Sequence, residues 1–389
     1  MKAVIAIDSL KGSLSSLEGG NAVARGIRRV YPQADVVVRP LADGGEGTVD
    51  ALVQGMGGEI QRVLVTGPLG TPVMCQYGIV RETGTGVIEM SGAAGLTLVP
   101  LEKRNPLYTT TYGVGQVIKD AIGRGCRRFL VGIGGSATND GGVGMLQALG
   151  YGFLDKDGRD VPFGARGLKA LRKIRDDDVI PELARCEFRV ACDVTNVLCG
   201  ESGCSAVYGP QKGADPSMIL KMDQWLGDYA ALARERFPNA NPCQPGAGAA
   251  GGMGFAFLTF TNGTLEPGIQ IVLEETNLEA YLKDADVAVT GEGRLDGQTA
   301  MGKAPIGVAR LAKKYKIPVI AFAGSVTRDA GQCNLKGIDA FFPILRGITT
   351  LEEAMRPECA RENLADAAEQ AFRLMKVLER GGEAHGAGG

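Results

Sequence analysis

The chain has 389 residues, a formal net charge of −2 and one histidine, His385, in a glycine-rich C-terminal stretch. That length suits two or three domains with a large core, and the balanced charge argues against nucleic acid or an anionic membrane as partner. With no histidine outside that stretch, a catalytic base has to be a carboxylate, and a metal has to be held by oxygen, as magnesium is.

The nine cysteines include no C-x-x-C pair, which fits reduced thiols better than a disulfide framework. The opening run MKAVIAIDSL reads as a strand, too short for a signal peptide. The longest weakly polar run, 246–260, is glycine-rich and too short to span a bilayer. A soluble, cytoplasmic protein is expected.

In chain order, Ala3–Ile7 reads as a buried strand ending in Asp8-Ser9-Leu10-Lys11-Gly12-Ser13. A helix follows, with Ser15 or Ser16 as N-cap and Ala22, Val23 and Ile27 on its apolar face. A second strand, Ala34–Val38, leads to Asp43-Gly44-Gly45-Glu46-Gly47 and another helix start. Strand, helix and strand in this order imply a parallel sheet. Between Ile60 and Met90, short alternating segments broken by glycine and proline predict antiparallel hairpins. A helix over 106–123 and a strand over Phe129–Ile133 come next, then the loop Gly134–Gly142. A strand at Phe188–Ala191 ends in Cys192-Asp193-Val194-Thr195-Asn196, and 214–237 is helical. Strand–helix alternation returns after Ala280, with strands at Val287–Val289, Pro318–Phe322 and Ala340–Ile344 and a last helix over 351–378.

The simplest account is α/β. A discontinuous, doubly wound parallel-sheet domain, residues 1–58 with 284–380, is interrupted by an inserted mixed α/β domain, 59–283. Residues 381–389 form a flexible tail.

Functional residue types collect in the loops after strands: Asp8 and Lys11; Asp43 and Glu46; Glu292, Arg294, Asp296 and Lys303; Gly324 and Ser325. In a parallel sheet such loops share one edge. The inserted domain adds Gly134–Gly142 and Asp193–Asn196. Facing domains would close a cleft for an anion with a metal or a base, which suits phosphoryl transfer. Gly297-x4-Gly302-Lys303 has the spacing of a Walker A loop, but Ala304 stands where the magnesium-binding hydroxyl belongs. Asp8 also reads as a helix cap, Asp43–Glu46 as a turn, Lys11 as a solvated lysine and Asp193 as a loop brace. Gly134, Gly135, Ser136, Thr138, Asn139 and Asp140 read more readily as a cradle of donors for phosphate or carboxylate.

The chain resembles the bacterial glycerate kinase family, in the class serving glucarate and glyoxylate catabolism. The resemblance rests on Asp8–Ser15, Ala42–Thr48, Gly132–Gly142, Ala191–Asn196 and Gly291–Pro305 at similar spacings over nearly the whole chain. It implies a flavodoxin-like domain with an insertion. It also implies ATP-dependent phosphorylation of D-glycerate, most often to 2-phosphoglycerate, with Mg²⁺. The alternatives are the 3-phosphoglycerate product, another small hydroxy acid, a nucleotide-dependent oxidoreductase or a metabolite-binding protein without turnover. The oxidoreductase would need G-x-G-x-x-G after the first strand, where Asp8-Ser9-Leu10-Lys11-Gly12 stands.

On that basis the expected roles are as follows. Asp193 is the base, with Asp8 and Asp296 behind it. Lys11 and Arg294 take the substrate carboxylate, with Asp43, Glu46 and Asp296 around the substrate. Gly134–Asp140, Gly302 and Lys303 take the nucleotide phosphates. The metal ligands are an Asp or Glu of the same loops, unassigned. No nucleic-acid or membrane partner is expected, and the enzyme is a monomer or homodimer.

Overall fold

The computed structural model describes residues 1–386, with side chains described through Glu379. Of the expected flexible tail, 387–389 lies outside the described residues, and the last helix, Pro357–Gly386, runs through the earlier part.

The strands are β1 (Lys2–Ile7), β2 (Asp35–Val38), β3 (Glu59–Thr66), β4 (Pro72–Val80), β5 (Thr85–Glu89), β6 (Arg128–Gly132), β7 (Gly152–Leu154), β8 (Lys173–Arg175), β9 (Glu187–Ala191), β10 (Asn262–Glu266), β11 (Val287–Leu295), β12 (Val319–Val326) and β13 (Ala340–Pro343). The chain divides into two compact units, Met1–Asp43 with Val272–Gly389, and Gly44–Ile271. Both crossings fall earlier in the sequence than the 58/59 and 283/284 boundaries expected. Helix Thr48–Met56 is the reason at the first crossing: it packs on β4 and β5, and the Glu89 carboxylate at the end of β5 accepts the Val49 N–H at its first turn, 2.7 Å.

The first unit holds a parallel sheet in the order β13-β12-β11-β1-β2. Numbered within the unit, that is 2-1-3-4-5, the flavodoxin-like order. Ile5 and Ile7 alternate toward the core with Val23 and Ile27 of helix Ser16–Val30 and with Leu364 and Phe372 of the last helix. Ser15 N-caps the first of these helices in a reciprocal capping box with Glu18.

β11 and β12 run further than expected. Gly291 pairs with Phe322 in the ladder, and Gly293 and Gly324 lie within the strands rather than in loops, with Arg294 paired to Ser325. A Cβ on Gly291 would lie 2.0 Å from the Phe322 carbonyl oxygen, and one on Gly324 2.6 Å from that of Gly293. Here glycine marks close strand approach, a use that sequence alone does not separate from loop flexibility.

The second unit holds a six-stranded mixed sheet, β10-β9-β6-β5-β4-β3, with β3, β4 and β5 antiparallel and β5, β6, β9 and β10 parallel. β7 and β8 form a separate antiparallel pair. Phe129 and Phe188 stack at 4.8 Å between ring centroids, in a core that includes Tyr229, Phe257 and Phe260. All nine cysteines are free. Among the described residues no helix is long and apolar enough to cross a membrane.

Candidate active site

In the first unit, β1 ends at Ile7, and the Asp8 N–H donates to the Gly291 carbonyl at 2.9 Å, extending the pairing to β11. The next residues turn outward, so the Asp8 carboxylate is left at the carboxyl edge of the sheet, only 4% exposed. Burial and the nearby Asp43 carboxylate push its pKa from 3.8 up to about 7, with a smaller push from Glu292; the Ser9 N–H and the Lys11 ammonium oppose this. Lys11 Nζ stands 3.2 Å from Asp43 Oδ2. Burial works against the Lys11 charge, but Asp43, Asp8 and Glu292 outweigh it and hold the ammonium above its usual value. Glu292 is buried and accepts the Thr299 hydroxyl at 2.5 Å. Burial raises its pKa against that bond and the Lys303 charge. Two buried acids, Asp8 and Glu292, thus stand beside a partly buried Asp43 and an exposed Lys11, an arrangement that pushes a carboxyl pKa toward neutrality.

The Walker-like stretch is a different object from a P-loop. Asp296 Oδ1 accepts the N–H groups of Gln298 (2.9 Å) and Thr299 (3.1 Å). The Gly297 N–H goes to Asp329 Oδ2 at 3.1 Å. The N–H groups of Met301, Gly302 and Lys303 go to carbonyls of Gln298 and Thr299. The loop's donors are spent on its own one-turn 3₁₀ helix, Thr299–Met301. Lys303 is the N-cap residue of helix Ala304–Lys313, and its half-buried side chain stays close enough to lower the Glu292 pKa. Arg294 is exposed, with Nε 3.7 Å from Asp296 Oδ2.

In the second unit, the loop after β6 splits in two. Gly134 and Gly135 are exposed, and the N–H groups of Gly134, Gly135 and Ser136 have no acceptor among the described residues. Thr138, Asn139 and Asp140 are instead fully inside. Asp140 accepts the Thr111 N–H (2.9 Å), the Thr111 hydroxyl (2.8 Å) and the Gly142 N–H (3.1 Å), and Asn139 Nδ2 donates to Ser205 Oγ at 2.8 Å. The following helix starts only at Val143 and has six residues. The backbone donors left without a partner are therefore those of 134–136, and 138–140 anchor the loop. A Cβ on Gly132 would lie 2.4 Å from the Gly44 carbonyl oxygen, so the Gly44–Gly47 loop lies across the end of β6. Glu46 in that loop is exposed. Asp193, after β9, is also exposed and accepts the Gly268 N–H at 3.0 Å.

Two residues escaped the sequence reading. Glu89 ends β5 and caps a helix; its place as a strand-end acid, like Asp8 and Asp193, is a signal that could have found it. Lys212, 2% exposed, donates to Ser136 Oγ (2.9 Å) and the Thr138 carbonyl (2.6 Å). Nothing in the sequence marks it, since a lysine in a loop is usually solvated.

Comparison with known proteins bears on these arrangements together. The profile of the glycerate kinase family matches residues 3–376. A glycerate kinase of Haemophilus influenzae is 48% identical over 375 residues, covering 96% of this chain and 99% of that protein. The glycerate 2-kinase of Escherichia coli K12 is 48% identical over 356 residues, covering 92% and 93%. A glycerate kinase 2 crystal structure from Salmonella typhimurium LT2 superposes with a TM-score of 0.89 at 46% identity, covering 98% of this chain and 99% of that one.

Proposed function

Because the chain belongs to the glycerate kinase family, we propose that it transfers the γ-phosphoryl group of ATP to D-glycerate, giving 2-phosphoglycerate and ADP. The observation that carries the chemistry is Asp8, a buried carboxyl with a pKa of about 7 beside Lys11, Asp43 and Glu292. A base poised near the working pH accepts a proton as the hydroxyl attacks. Asp8 takes the hydroxyl proton, the oxygen bonds to phosphorus, and ADP leaves with the displaced bond's electrons. Asp193 is the second candidate; its exposure and its bond to the Gly268 N–H favour a bracing role over a base.

Lys11 and Arg294 hold the substrate carboxylate, Arg294 through its planar fork. Lys303 offsets charge on the transferring phosphoryl group, and 134–136 donate to the nucleotide phosphates. Among the described residues no three metal-binding side chains form a cage. Magnesium carried on nucleotide phosphates needs only one or two carboxylates. Asp43 and Glu292, whose charges raise the Asp8 pKa, are the residues that would hold it. When bound, the ion neutralises phosphate charge. Free thiols fit a cytoplasmic enzyme, monomeric or homodimeric.

Incubation with ATP, Mg²⁺ and D-glycerate, followed by phosphorus NMR of the product, tests this reading. A 2-phosphoglycerate signal is expected. 3-Phosphoglycerate would move the reacting hydroxyl, and intact ATP would sink the kinase.

A further inference from the structure

Lys212 closes the 3₁₀ turn Pro210–Lys212 and buries its ammonium beneath the loop after β6. A buried charge without a counter-ion is costly. Its two bonds go to neutral oxygens, Ser136 Oγ and the Thr138 carbonyl. The ionisable groups that face it are Asp140, from the same loop, and Cys204, from helix Cys204–Tyr208. Asp140 forms no direct bond to it, and the Asp140 oxygens are already taken by Thr111 and Gly142.

The direction of the Ser136 bond follows from donor chemistry. An ammonium has three donors and no acceptor. Ser136 Oγ therefore accepts, and its own hydrogen points away from Lys212. That hydroxyl has no other partner among the described residues. The unspent donors of the loop are thus one hydroxyl and the N–H groups of Gly134, Gly135 and Ser136. They stand over a buried positive charge, and no group among the described residues accepts from them.

We infer that Lys212 is a positioning residue for a nucleotide phosphate subsite: it fixes Ser136 as a donor to a phosphoryl oxygen and supplies positive charge beneath residues 134–136. This rests on the kinase reading above. Several donors with a fixed charge suit a multiply charged phosphate better than the single charge of a glycerate carboxylate, the other oxyanion at hand.

The test uses the full chain and its variants Lys212→Met, Ser136→Ala and the double variant. Folding is checked by circular dichroism, ADP binding by calorimetry, and kcat with both KM values by coupled assay. Each single change is expected to weaken ADP binding and raise the KM for ATP about tenfold or more. The KM for glycerate should stay within about twofold, and the double variant should be no worse than Lys212→Met alone, because the two residues act as one unit.

A pH series adds a readout that a merely structural lysine would not move. Burial lowers the Lys212 pKa to about 8, with Cys204 and Asp140 holding it up. ADP affinity should therefore fall above about pH 8 in the wild type and stay flat there in Lys212→Met. Folded variants with unchanged ADP affinity would overturn the inference, as would a shift in the glycerate KM in place of the ATP KM. If Lys212→Met does not fold, unchanged ADP affinity in Ser136→Ala overturns it alone. A wild type that forms no phosphoglycerate brings down the kinase reading and this inference with it. An active wild type beside unaffected variants brings down the inference only.

Discussion

The first unit's strand-end loops crowd acids around one lysine, whereas a loop of the second unit keeps backbone donors unspent. Asp8, Asp43 and Glu292 gather near Lys11, which pairs with Asp43, and burial and mutual repulsion raise the pKa values of Asp8 and Glu292. In the second unit Glu89, Asp140 and Asp193 accept N–H groups from their own surroundings, and the loop 134–136 is left with hydrogens to give. The glycine-rich stretch 297–303 falls with neither group, because its N–H groups are consumed by Asp296, Asp329 and nearby carbonyls. The lesson is that glycine content does not define an anion site. What defines it is which donors the fold leaves unpaired.

The largest effect that separates the two regions is expected at Asp8. Asp8→Asn should lower kcat by about 10²-fold or more. In the wild type kcat/KM should rise with pH and level off above about pH 7, and the variant should lose that rise. Stability moves the other way. The folded pKa lies above 3.8, so the native state binds the extra proton between about pH 4 and pH 7, and the wild type loses stability as pH rises through that window. Thermal melts should show this slope flattened in Asp8→Asn, with a Tm at pH 8 no lower than wild type. Loss of activity together with a lower Tm would mean Asp8 is structural.

Lys303→Ala should raise the KM for ATP and lower kcat, by about ten- to a hundredfold in kcat/KM. A change confined to the glycerate KM would remove its phosphate role. Gly291→Ala tests the scaffold. The added Cβ would sit 2.0 Å from the Phe322 carbonyl oxygen, and a destabilisation of about 2–3 kcal/mol is expected in urea unfolding. The smallest effect is expected at Asp193. Asp193→Asn should cost less than about tenfold in kcat, since the amide Oδ1 can still accept the Gly268 N–H. A loss as large as that of Asp8→Asn would transfer the base to Asp193.

Much of the framework was legible because buried parallel strands are short apolar runs and helices announce their caps. Ala3–Ile7 and Phe129–Ile133 were found this way, and the first helix's cap was narrowed to Ser15 or Ser16, of which Ser15 is the cap. Strand ends were harder. Gly291 and Gly324 carry the letters of a loop, and only the approach of neighbouring carbonyls makes them strand. At the site, the sequence put Asp193 first as the base with Asp8 behind it, because both close a buried strand; the burial of Asp8 and the exposure of Asp193 were not legible there. Thr138, Asn139 and Asp140 carried the same polar signal, yet they face inward.

The sequence by itself determined the α/β class, the interrupted parallel sheet and the strand-end loops in which polar residues collect, since periodicity and chain order are local properties. Tertiary structure alone decided which of those loops kept its hydrogen-bonding capacity, because that depends on partners far away in the chain. Thr111 satisfies Asp140 across 29 positions, Asp329 takes the Gly297 N–H across 32, and Lys212 reaches Ser136 across 76. A polar group's chemistry is set by what is left after such bonds are made, and no pattern along the chain records that remainder.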